Sequence, residues 1–172
     1  MPQLARRPHH TPEEYLALDR RAAFKSEYVE GEIVAMASAS REHNLIALNI
    51  AASLHLQLKG RPCETYMADM RLGVDLAHTH ACPDVAVACG EPEFLDDSHF
   101  DVLLNPTVVI EVLSHSTEDR DRGRTFARHR RLGTLTGSVL VAHDRPQVEH
   151  CARAWMRWPL VEYDTPDAVA DM

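Results

Sequence analysis

At 172 residues, with 45% hydrophobic and 26% charged residues, the chain has the size and composition of one soluble domain around a single core. A net charge of −8 argues against a broad phosphate-binding footprint, which draws on clustered Lys and Arg. No apolar run approaches the ~20 residues that span a bilayer.

The segment Met1–Arg7 has no apolar stretch behind Arg6 and Arg7, so no secretory signal is read there and a cytoplasmic location is expected. Cys63, Cys82, Cys89 and Cys151 show no CxxC spacing and are expected as reduced thiols.

In chain order, Thr11-Pro12-Glu13-Glu14 is a capping box with proline at the first helical position, predicting a helix to about Asp19. Residues 27–29 and 32–36, joined by Glu30-Gly31, read as a β-hairpin. A long helix is predicted from a cap near Ser40 to Lys59-Gly60. Its apolar residues Leu45, Ile46, Leu48, Ile50, Ala52, Leu54, Leu56 and Leu58 cover more than one face, the pattern of a helix buried against a sheet.

Strands are expected at 63–67, 70–75 and 83–88, then a loop over 90–105 and a strand at 107–113. A helix over 117–132, closed by Gly133, precedes strands at 139–142, 147–149 and 160–163. Order and content predict a mixed α/β (α+β) domain, a central mixed sheet flanked by helices.

Two Val- and Ile-rich strands each carry one carboxylate: Asp84 in Pro83-Asp84-Val85-Ala86-Val87 and Glu111 in Val108-Val109-Ile110-Glu111-Val112-Leu113. Burying such a charge is costly unless it is paired or holds a metal. Alternation puts Asp84 with Ala86 and Ala88, and Glu111 with Val109 and Leu113. If the strands are neighbours with those faces aligned, the carboxylates converge and repel unless a cation neutralises them. Mg²⁺ suits the donors, taking one or two carboxylates with waters and phosphate oxygens. The plainer reading is a strand cap at Asp84 and an arginine pair for Glu111.

Tyr28-Val29-Glu30-Gly31-Glu32, His43-Asn44, Asp69-Met70-Arg71-Leu72, Pro83-Asp84-Val85, Glu111-Val112-Leu113-Ser114-x-Ser116-Thr117 and Asp121-Arg122-Gly123 follow one another in an order that resembles the Uma-two family of restriction-endonuclease-like proteins. The resemblance runs from Thr11 to about Tyr163. It implies a PD-(D/E)XK-type fold and metal-dependent cleavage of DNA, with Mg²⁺ or Mn²⁺ as cofactor. A single domain over 1–172 with flexible ends at 1–10 and 164–172 is expected, and a homodimer, since cutting both strands needs two sites. Asp84 would be the Asp of the PD motif and Glu111 the acidic residue of the (D/E)XK strand, both holding metal. Glu32 would be a supporting site residue.

The lysine of the (D/E)XK pattern falls on Leu113. The Gly-Glu-Lys-Phe stretch that carries it elsewhere in the family reads Gly123-Arg124-Thr125-Phe126 here. Thr125 supplies no charge, and Arg128, three residues on, is the nearest substitute on that face. Two further departures are His115 in place of a proline and Thr136-Gly137-Ser138 in place of a more strand-like segment. The alternative the resemblance leaves open is a member without catalysis that binds nucleic acid or a partner as a scaffold.

Weaker constellations are His78-x-His80-x-Cys82, with the donor types of a zinc site on an expected hairpin edge, and His43-Asn44, facing a cleft or serving the helix start. Ser114-His115-Ser116 lacks the context of a nucleophilic serine. The arginines of 120–131 are either a phosphate-facing surface or a solvated face paired with Glu118, Asp119 and Asp121. Trp155 and Trp158 are expected in the core or at a dimer interface.

Overall fold

The computed structural model describes residues 8–67, 69–95, 98–114 and 121–164. Thr11 caps helix α1 (Pro12–Asp19) through the reciprocal box with Glu14. Strands β1 (Ser26–Val29) and β2 (Glu32–Ala35) form the hairpin, turning on Glu30 and Gly31 at φ +48° and +89°. Two successive positive φ angles define the tight turn that matches strand twist. Gly31 is needed there twice over, because a Cβ would also lie 2.2 Å from the His9 ring. His10, at the edge of the expected flexible segment, is tied down: its N–H donates to Gly31 O, and its carbonyl accepts from the Tyr28 hydroxyl.

Helix α2 (Arg41–Leu58) is capped by Ser40 and stops at Lys59, with Gly60 at φ +81°. The strands that follow are β3 (Cys63–Met67), β4 (Arg71–Asp75), β5 (Thr79–Ala81), β6 (Val85–Cys89), β7 (Val102–Leu103) and β8 (Val108–Leu113). After a π-helical turn (Asp121–Thr125) and helix α3 (Phe126–His129) come β9 (Gly137–Ala142), β10 (Val148–Ala152) and β11 (Leu160–Tyr163).

The expected central sheet is two mixed sheets. One has the order β2-β1-β5-β4-β7, the other β11-β10-β9-β8-β6-β3. They pack on each other through Leu72 and Leu103 of the first and Ala86, Ala88 and Val109 of the second, with Leu132 and Leu135 joining. α1 covers the outer face of the first sheet through Tyr15 and Leu16 against Tyr28 and Val102. α2 covers the second through Ala51 against Val85, Ile110 and Val139. The result is helix, sheet, sheet, helix.

Several expectations are corrected. α2 buries one narrow stripe, with Leu45, Leu48 and Leu56 between 41% and 70% exposed, and an apolar groove of about 320 Å³ remains between Ile46 and Ile50 and the strands beneath. The helix meets one sheet along one side through Ala51, so apolar residues on its other sides stay exposed. The 90–105 loop contains β7, which pairs parallel with β4. Segment 79–81 is an interior strand between β1 and β4, so its polar residues Thr79 and His80 are buried rather than facing solvent.

Thr136-Gly137-Ser138 does enter a strand, β9. The expected helix 117–132 ends at His129, capped by Arg130 rather than by Gly133. Its start, with His115, Ser116, Glu118, Asp119 and Arg120, lies outside the described residues, as do Asp96 and Asp97 of the loop.

Cys63 and Cys89 are not free thiols. The antiparallel register of β3 and β6 sets them directly opposite, Cα atoms 4.0 Å apart, and they are joined as a disulfide. Cys82 and Cys151 remain thiols. Trp158 packs onto the inter-sheet core, with Arg153 over its ring, while Trp155 is almost wholly exposed.

Candidate active site

Register decides where the two strand carboxylates go. β6 and β8 pair antiparallel as Val85↔Ile110 and Ala86↔Val109, and this register, carried one step beyond the last pair, brings Asp84 level with Glu111. Alternation puts Glu111 on the face of Val109, while Asp84, just before β6, brings its carboxylate to His43 on α2, the helix that covers the Val85 and Ile110 face. Asp84 stands in the bend just before β6 rather than within it, and Glu111 is the fourth residue of β8. Both side chains are nearly covered, at 14% and 13% exposed.

The bend frees Asp84 to turn onto the neighbouring strand, where its Oδ2 accepts the Val112 N–H at 2.7 Å. The same oxygen is 3.2 Å from His43 Nε2. His43 lies in the first turn of α2, where Ser40 Oγ accepts its backbone N–H. Of the two roles the sequence left for His43, the helix start is seen, and its side chain turns to Asp84.

Glu111 has a counterpart from the other side: His129, the last residue of α3, with Nε2 3.9 Å from Glu111 Oε1. His129 is completely enclosed. Burial first, and the Arg128 charge second, push its pKa down to about 4, so the ring is neutral at pH 7. Its Nε2 has no hydrogen-bond partner among the described residues, an unusual state for a buried nitrogen. Sequence reasoning passed over His129. The signal was available: it follows Thr125 by four residues, one helical turn, and both are buried.

The other expected site residues sit differently. Thr125 is 4% exposed at the end of the π-helical turn. Arg128 is half-buried on α3 beside the enclosed His129. Glu32 opens β2, the outer edge of the other sheet, opposite Val29. Arg122 donates twice to Glu149 Oε1, and Arg131 to Asp75, so two of the expected surface arginines are pinned to acids on other elements.

The zinc reading fails on geometry. His78 is exposed and pairs with Asp75, His80 is packed between the Tyr15 and Tyr28 rings, and Cys82 points to the Ser26 carbonyl. Among the described residues no three His, Cys, Asp or Glu side chains cluster as a ready-made metal cage. Asp84 and Glu111 offer carboxylate oxygens, the hard donors that Mg²⁺ takes together with waters and phosphate oxygens.

Comparison with known proteins gives a family and a fold. The family model described as Uma2, "Putative restriction endonuclease", matches residues 12–171. The chain is similar to the uncharacterized protein sll1609 of Synechocystis sp., 35% identical over 153 residues, 88% of this chain and 86% of that protein. It is also similar to slr1290 of the same organism, 32% identical over 142 residues, 83% and 73% of the two chains. Among solved structures it resembles one described as "a putative nuclease belonging to DUF820" from Anabaena variabilis, with TM-score 0.76 over 94% of this chain and 88% of that one. At 20% identity that likeness concerns the fold. Among the described residues, no helix is long and apolar enough to cross a membrane.

Proposed function

The chain belongs to the Uma2 family of restriction-endonuclease-like proteins, and on that premise we propose that it is a divalent-cation-dependent nuclease that hydrolyses DNA phosphodiester bonds. What supports this reading is the register of β6 and β8, which, carried one step beyond Val85↔Ile110, brings Asp84 level with Glu111. The donor set fits Mg²⁺, with Mn²⁺ as the alternative: two carboxylates, one of them with its Oδ2 engaged by Val112 N–H. When bound, such an ion polarises a phosphoryl group and makes a water more acidic.

The residues of the chain divide the remaining work. Asp84 and Glu111 hold the ion. Arg128 is assigned to the phosphate, where its fixed charge stabilises the developing negative charge but cannot accept a proton. His129 stays neutral and so adds no positive charge of its own beside Glu111. Glu32, on a separate sheet edge, is retained as a more distant support. A homodimer would supply the second site that a cut through both strands needs.

One observation favours a second reading, a nucleic-acid- or partner-binding scaffold without turnover: Thr125 is buried and uncharged where the family pattern carries lysine. The test is cleavage of plasmid and single-stranded DNA in Mg²⁺ and Mn²⁺ by wild type, Glu111→Ala and Thr125→Lys. The nuclease reading expects wild-type cleavage that Glu111→Ala abolishes. Silence from the wild type with activity in Thr125→Lys would identify the scaffold, and silence from all three would remove the nuclease reading.

A further inference from the structure

We propose that His43 is a positioning residue of the cation site, holding Asp84 so that one carboxylate oxygen is committed to the protein and the other is presented to the ion. The inference rests on the reading of Asp84 and Glu111 as the ion's holders.

The geometry begins in α2. His43, Ala47 and Ala51 are spaced by four, so they lie on one stripe. Ala51 packs on Val85, Ile110 and Val139, which sets the rotation of the whole helix about its axis. Two turns earlier the same stripe reaches the end of β6, and there the side chain facing the sheet is His43. Its backbone is fixed independently by the Ser40 cap.

At Asp84 two groups from different elements converge on one atom. Val112 N–H, from β8, donates to Oδ2 at 2.7 Å, and His43 Nε2, from α2, stands 3.2 Å from the same Oδ2. Neither contact uses Oδ1. A carboxylate gripped through one oxygen from two directions has lost its rotation, and a ligand that is already oriented binds its ion with less ordering cost. Water screens little of this, because the two side chains are only 15% and 14% exposed. Outer contacts of this kind commonly set the affinity of metal-holding carboxylates.

A purely structural contact would show the same distance, so the test reads cation affinity. Mn²⁺ binding to the full chain is measured by electron paramagnetic resonance for wild type, Asp84→Asn, His43→Ala and His43→Gln, with thermal melts to confirm folding. The inference expects His43→Ala to bind Mn²⁺ roughly 10- to 100-fold more weakly. It expects His43→Gln to recover most of that loss, because the glutamine amide nitrogen reaches the place of Nε2.

Wild-type affinity in His43→Ala, alongside lost binding in Asp84→Asn, would overturn the inference and leave the site reading intact. Equal losses in His43→Ala and His43→Gln would also overturn it. No Mn²⁺ binding by the wild type would remove the site reading and the inference with it. If His43→Ala does not fold, His43→Gln against His43→Asn decides, since the asparagine amide sits where Nδ1 lies. Tighter binding by the glutamine variant supports the role, and equal binding overturns it.

Discussion

The two sheets carry comparable sets of carboxylates and use them in opposite ways. Beside the first sheet, Arg71 bonds both Asp19 and Asp101, and Arg20 holds Asp101 through two bonds of 2.9 and 2.7 Å. Two arginines meet two aspartates, and the charge closes on itself. At the second sheet, Asp84 and Glu111 face imidazole rings, one of them held neutral by burial. The first arrangement ties α1, β4 and the segment before β7 together. In the second, imidazoles from two separate helices stand beside the carboxylates where the first has arginines. Residue type alone does not separate a structural carboxylate from a functional one. The partner does.

The sharpest way to break this comparison is to neutralise one member of each set. Asp84→Asn should lower DNA cleavage roughly 10²- to 10⁴-fold, measured as plasmid nicking, while chemical denaturation shows little loss of stability. Arg71→Ala should do the reverse. It leaves Asp19, whose side chain is 4% exposed, as a buried charge without its main partner, at a cost of about 3–5 kcal/mol in a urea titration. Cleavage per folded molecule should stay unchanged. A large stability loss in Asp84→Asn, or a cleavage defect in folded Arg71→Ala, would show that the division between the regions is wrong.

Reduction acts on the second sheet alone. Breaking the Cys63–Cys89 bridge, which closes a segment of sequence separation 26, should destabilise by about 3 kcal/mol, seen as a lower melting temperature in dithiothreitol. Cys63→Ala should melt at that lower temperature with or without reductant.

Acid should expose a smaller effect common to both regions, because each encloses one histidine. Burial lowers the pKa of His80 and takes that of His129 down to about 4. The unfolded chain then binds more protons than the native one as pH falls below 6.5, so stability present above that value is lost on the way toward about pH 4. Asp101, held down chiefly by its bond from Arg20, adds a further loss below its ordinary value of 3.8. Melting temperatures across this range should fall less steeply in His80→Phe than in the wild type. Parallel curves would mean that His80 is protonated as easily in the folded chain as outside it.

Much of the local structure was legible. The Thr11-to-Glu14 capping box, the Glu30-Gly31 turn and the Ser40 cap lie where their residue types place them, because each acts over three or four residues. Alternation within strands was legible for Glu111 and Val109, but Asp84 lies in the bend before β6, where alternation does not apply. It was silent on whether the two strands are neighbours. The second sheet, the strands β5 and β7 and the Cys63–Cys89 bridge were missed for one reason: each depends on a partner distant in the chain. α2 shows the converse. Its apolar pattern overstated burial, since hydrophobic residues report what a helix can bury and not how much surface its neighbours offer.

By itself, then, the sequence determined the caps, the turn, the alternation within strands and the presence of two costly carboxylates, all set by chemistry within a few residues. Tertiary structure alone decided that β6 and β8 pair in the register that brings Asp84 level with Glu111, and that His43 and His129 arrive from separate helices. Those meetings follow from sheet order and helix rotation, which are fixed only when the layers pack and bury their shared core.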